Sequence, residues 1–102
     1  MVQKKDMLDP IPPGEILLEE FMKPHGISQN KLARDLDVPP GRIGEIVRGK
    51  RAITADTALR LAKYFRTSPD VWLGLQMEYD IRRARRETWP AVEPRIRPIE
   101  AA

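Results

Sequence analysis

The sequence contains no cysteine and only one histidine. The first absence removes disulfides, thiolate zinc sites and cysteine nucleophiles together. The second leaves His25 without the partner groups that a metal cluster or a nucleophile–base pair requires. Between Pro24 and Gly26, its better role is a contact with a helix C-terminus. Long apolar runs are also missing, and no stretch approaches the roughly 20 residues of a membrane span. Residues 1–13 have no apolar core of signal-peptide type, so the sequence predicts a protein that is not exported. The lack of cysteine fits a reducing cytoplasm. No glycine-rich phosphate loop occurs either. The expectation is therefore no enzyme, no cofactor, no metal and no membrane partner.

What is present is a chain of 102 residues, a length suited to one domain. Hydrophobic residues make up 41% and charged residues 32%, a globular rather than a disordered composition. The net charge is +3 and the pI near 9.5. A mild basic excess permits nucleic-acid binding, and the placement of the cations decides.

Three zones differ in composition. Residues 1–12 are polar, with Pro10 and Pro12, and read as an irregular arm. Residues 13–87 carry helical periodicity. Residues 88–102 contain Pro90, Pro94 and Pro98 and read as an extended, flexible tail. The middle zone divides into five helices. The first starts at Pro13, with Ile16, Leu17, Leu18 and Phe21 as its apolar face, and stops at Pro24 and Gly26. The second is capped by Ser28, with Ile27 and Leu32 spaced as a hydrophobic staple. The third starts near Pro39 or Pro40, buries Ile43, Ile46 and Val47, and ends at Gly49. The fourth is capped by Thr54 and carries Ala58, Leu61, Ala62 and Phe65 inward. The fifth is capped by Ser68 and runs to about Arg86. No segment alternates as a strand does, so the fold class is all-α.

The informative stretch is 28–51, SQNKLARDLDVPPGRIGEIVRGKR. A short capped helix is followed by a break at Asp37 and Val38, then by a second short helix ended by glycine. Ala33 is small enough to let the two cross closely. Asp37 tolerates the positive φ such a turn wants. Gly41, Arg42, Glu45 and Arg48 then lie on the outward side of the second helix, facing solvent or a major groove.

This stretch resembles the XRE-type, or lambda-repressor-like, helix-turn-helix. A longer match, PPGEILLEEFMKPHGISQNKLARDL, GRIGEIVRGKRAITADTALRLAKYF and TSPDVWLGLQ, resembles the HigA-type antitoxin family, also called VapI-like. The resemblance implies a five-helix fold, a homodimer, binding to double-stranded operator DNA with repression of its own operon, and a HigB-type mRNA-cleaving toxin as partner. Where many relatives carry Ser or Thr at the start of the recognition helix, this chain has Pro39, Pro40 and Gly41. Base reading then leans on Arg42 and Glu45.

The candidate DNA-binding residues are Gln29, Pro40, Gly41, Arg42, Glu45, Arg48, Lys50 and Arg51. In XRE-type proteins a glutamine at the position of Gln29 contacts phosphate. Arg42 has the fork to read guanine; the bland alternative is a surface arginine. Glu45 either accepts from a cytosine amino group or pairs with a nearby arginine. Arg48, Lys50 and Arg51 suit phosphate contact or a solvated cluster. The run Arg82, Arg83, Arg85 and Arg86 reads first as a solvated helix end.

The fifth helix carries two apolar stripes, one of Val71, Leu75 and Tyr79 with Trp72 beside them, the other of Leu73, Met77, Ile81 and Ala84. A helix at the edge of a small monomer needs only one such face for its own core. Val71, Trp72, Leu75, Met77, Tyr79 and Ile81 are therefore the candidate dimer interface, with the choice of stripe left open. The expected function is antitoxin and autorepressor. A stand-alone XRE-type regulator and a protein-interaction module without DNA binding are the other readings. The proline-rich tail is a candidate toxin contact.

Overall fold

A computed structural model describes residues 9–100, so most of the N-terminal arm and the last two residues of the tail lie outside the described residues. Among the described residues there are six helices and no strand, and no helix is long and apolar enough to cross a membrane. The first helix, α1, begins as an α-helical turn at Pro13–Ile16 and continues as a π-helical stretch, Leu17–Met22. Then come α2 (Gln29–Leu36), α3 (Arg42–Val47), α4 (Ala55–Phe65), α5 (Pro69–Glu87) and a short α6 (Trp89–Val92).

Local chemistry sets most of these boundaries. Ser28 accepts from the Lys31 amide at 3.1 Å, and Thr54 accepts from the Thr57 amide at 3.4 Å, so each hydroxyl closes a helix N-terminus. Ser68, expected to do the same for α5, makes no side-chain cap hydrogen bond; Pro69 occupies the first position of that helix, where no amide is needed. The break after α2 uses Asp37 in the left-handed region, at φ 58°. Its amide and that of Val38 return to Arg34 and Ala33, which closes the helix in the Schellman manner. Gly49, at φ 74°, closes α3 in the same way, with Lys50 N–H donating to the Glu45 carbonyl at 2.8 Å. Arg66 does so for α4 at φ 60°, and nothing in the sequence pattern flagged a non-glycine residue there.

Two boundaries differ from the sequence reading. The third helix starts at Arg42 with Gly41 as its N-cap, and Pro39 and Pro40 belong to the turn before it. Each proline lacks an amide, and each biases its predecessor away from the helical region. In the tail, Trp89–Val92 is helical and Glu93–Arg95 is a 3-10 turn, where an extended segment was expected. Pro90 and Pro94 sit in the first turns of these pieces, where no amide is needed.

The core is formed by Leu17 and Met22 of α1, Leu32, Ala33 and Leu36 of α2, Ile43 and Ile46 of α3, Ile53 of the loop, Ala58, Leu61 and Ala62 of α4, and Trp72 of α5. Ala33 is buried as the small residue the crossing of α2 and α3 wants. Phe21 and Trp72 meet with ring centroids 4.7 Å apart, and Phe21 and Phe65 at 5.2 Å. The Trp72 indole N–H donates to Thr67 Oγ1 at 2.9 Å, so its one polar group is satisfied inside the core. His25 lies near Phe65, with centroids 6.2 Å apart. Side chains tie α4 to α2. Arg60 donates to the carbonyls of Leu36 at 2.7 Å and Asp37 at 3.0 Å, satisfying orphan groups of the α2 C-terminus. Tyr64 and Lys31 both donate to Asp35 Oδ2, at 2.8 and 2.7 Å. These bonds, Lys31 first, hold the Asp35 carboxyl below its ordinary range.

Candidate nucleic-acid interface

The helix-turn-helix is α2, the Asp37–Gly41 turn and α3. Its outer side is built by the phase of α3: with Ile43 and Ile46 buried, Arg42, Glu45 and Arg48 fall toward solvent. Arg42 is half-buried at the first position of the helix, and Pro40 and Gly41 are exposed beside it. Arg48, Lys50 and Arg51 follow at the other end, all exposed. The surface therefore carries Arg42, Arg48, Lys50 and Arg51 against the single carboxylate Glu45. That excess is concentrated where the chain as a whole is only mildly basic.

Two contacts order this surface. Glu45 Oε1 accepts from Arg51 Nε at 3.2 Å, with both side chains more than two-fifths exposed. Of the two roles weighed for Glu45, the arginine pair is the one present in the free protein. Gln29, at the first position of α2, reaches across to α3. Its Oε1 and the Arg48 Nη1 converge over Gly44, at 3.0 and 2.9 Å from where a Cβ on that glycine would stand. Gln29 and Arg48 thus meet on one ridge because residue 44 has no side chain. Sequence reasoning missed Gly44. The available signal was a glycine inside a short helix, which costs about 1 kcal/mol relative to alanine and calls for a packing reason.

The candidate dimer face is only partly what the sequence suggested. Trp72 is fully buried in the core and is removed from the interface set. The core needs the largest apolar side chain of α5 to fill the space between Phe21 and Phe65. Leu75 is half-buried against the same core, and Tyr79 is half-buried under the Arg83 guanidinium, 5.4 Å from the ring centroid. Leu73, Met77 and Ile81 are exposed, Met77 to 60%, and Val71 stands exposed near the start of the helix. Trp89, Val92 and Ile96 are also exposed large apolar residues.

Residues 18–72 match the helix-turn-helix family model. Virulence-associated protein I of Dichelobacter nodosus is 51% identical over 83 residues, covering 81% of this chain and 77% of that one. The structure of an addiction module antidote protein of the HigA family from Coxiella burnetii superimposes with a TM-score of 0.83 at 47% identity, over 90% of this chain and all of that one. The Pseudomonas aeruginosa antitoxin HigA, solved with the higBA promoter, gives 0.84 at 43% identity, over 89% of this chain and 99% of that one. By name, the last two are an antidote protein and an antitoxin. A recognition helix with a cationic rim and matches spanning most of the chain lead to one conclusion: the chain belongs to the helix-turn-helix family, in its HigA-type, VapI-like antitoxin branch.

Proposed function

We propose that this chain is the antitoxin of a type II toxin–antitoxin pair, and that it represses its own operon as a cytoplasmic homodimer on double-stranded operator DNA. The observation that carries this reading is the cationic rim of α3 on a rigidly closed helix-turn-helix. The likeness to an antitoxin solved with its promoter supports it. In the proposed complex α3 enters the major groove. Arg42, at its leading end, reads a base edge, while Pro40 and Gly41 let the turn approach the DNA backbone closely. Gln29 and Arg48 act together on one phosphate, and Lys50 and Arg51 on the next.

Residues 13–87 form the DNA-binding domain in this reading. The stripe of Leu73, Met77 and Ile81 supports the homodimer, since an apolar row of this length on a free helix face marks an interaction surface. A two-fold axis through α5 would set the recognition helices about 34 Å apart, in successive major grooves of a pseudo-palindrome. The toxin partner is a small mRNA-cleaving protein of HigB type, and residues 88–102 are a candidate contact for it.

Co-expression with the neighbouring reading frame tests the toxin half. The neighbour's product alone is expected to arrest growth, and the present chain to restore growth and co-purify with it. A neighbour that is harmless alone and does not co-purify would favour a stand-alone regulator.

A further inference from the structure

We propose that Gln76 of α5 is a positioning residue for DNA binding, holding the loop behind the recognition helix so that Lys50 and Arg51 face the phosphate backbone. The inference rests on the DNA-binding reading above. The Ile53 amide donates to Gln76 Oε1 at 2.8 Å, across 23 residues of sequence. Gln76 Nε2 donates in turn to Asp80 Oδ1 at 3.0 Å. Asp80, as a carboxylate, only accepts, so the amide of Gln76 has one orientation: nitrogen toward Asp80, oxygen toward the loop.

The loop needs such a hold. Residues 51–53 lie between α3 and α4, outside any helix. The loop is fastened at its start by Lys50 N–H to the Glu45 carbonyl and at its end by the Thr54 cap. Between them the backbone is tied at Ile53, whose amide donates to Gln76 and whose side chain is buried in the core. Gly49, Lys50, Arg51 and Ala52 share a hollow of about 120 Å³ with Gln76 and Asp80, so loop and helix run side by side. The same helix carries the proposed dimer stripe on another face. Gln76 therefore fixes the loop cations relative to the two-fold axis as well as to α3.

The test is a titration of a labelled duplex spanning the region immediately upstream of the chain's own coding sequence, repeated over a range of salt. Gln76→Ala is expected to weaken binding about tenfold, with the salt slope lowered by about one phosphate per protomer. Gln76→Glu alone sets two carboxylates against each other and is expected to do the same. Gln76→Glu combined with Asp80→Asn exchanges amide and carboxylate, rebuilds both bonds at constant net charge, and is expected to restore affinity and slope. A merely structural loss would lower the active fraction and leave the slope unchanged. An unchanged slope for Gln76→Ala, or a double variant no better than Gln76→Glu, overturns the proposal while DNA binding by the unaltered protein stands. Absence of binding by the unaltered protein overturns both.

Discussion

Gly14 of α1 lies against the backbone of Ile46 in α3, so close that a methyl group on it would fall onto the Ile46 carbonyl and within 2.7 Å of the Val47 Cα. The obstacle is backbone, which cannot swing aside as a side-chain end can. Gly14→Ala is therefore expected to push α1 off the recognition helix and destabilise the protein by about 1–3 kcal/mol. Gly74, in α5, has nothing within 4 Å of its would-be Cβ. There the same change is expected to stabilise by up to about 1 kcal/mol through helix propensity. Thermal or urea melts of the two variants check this, and equal effects would show that the close approach is absent in solution.

Arg42 and Lys50 are expected to fail differently. On the proposed assignment, Arg42→Ala is expected to remove a base contact, cost about 1–3 kcal/mol on the operator and relax preference at one base pair per half-site. Lys50→Ala weakens all sequences alike and lowers the salt slope by about one per protomer. Titrations on operator and scrambled duplexes at several salt concentrations separate them. If neither variant changes operator binding, the assignment of this surface is wrong.

The signals legible in the sequence were local ones. Ser28 and Thr54 announce their helices because a hydroxyl just before an apolar-periodic run has one obvious partner. Asp37 and Gly49 announce their turns because few residues accept positive φ. What stayed hidden depends on residues distant in sequence. Trp72 sits beside Val71, Leu75 and Tyr79 on the helical wheel, and only Phe21 and Phe65, brought in by α1 and α4, decide that it belongs to the core. Arg60 as a cap for α2 and Gln76 as a tie for the loop reach across 24 and 23 residues, with no periodic signature. The prolines of the tail argue against a helix interior and not against a first turn, which is where Pro90 and Pro94 stand.

Met77→Asp tests the dimer face. Met77 is 60% exposed, so the charge is expected to leave a folded protein that sediments as a monomer and binds the operator weakly. Trp72→Ala, by contrast, empties the core and is expected to cost about 3–5 kcal/mol of stability. A Met77→Asp protein that remains dimeric would move the interface elsewhere.

Stability is expected to respond to pH through Asp35. Its hydrogen bonds from Lys31 and Tyr64 depress its carboxyl, so this contribution is present above the ordinary carboxylate pKa and lost as pH falls through the lower folded value. Lys31 and Tyr64 are raised by the same bonds, chiefly the hydrogen bond to Asp35 in each case. Their contribution holds below their ordinary values and is lost as pH rises through the raised ones. Asp35→Asn is expected to flatten both limbs of a plot of melting temperature against pH, relative to the unaltered protein. Identical acid limbs would show that the cluster does not form in solution.

The central claim is sequence-specific binding of this chain, as a dimer, to its own promoter. The most direct measurement is a titration of the upstream duplex with the unaltered protein at near-physiological salt, with the mass of the complex determined alongside. Saturable binding of two protomers per site is expected, at least about a thousandfold tighter than to scrambled DNA of equal length. Equal affinity for the two duplexes, or a complex holding a single protomer, would contradict it.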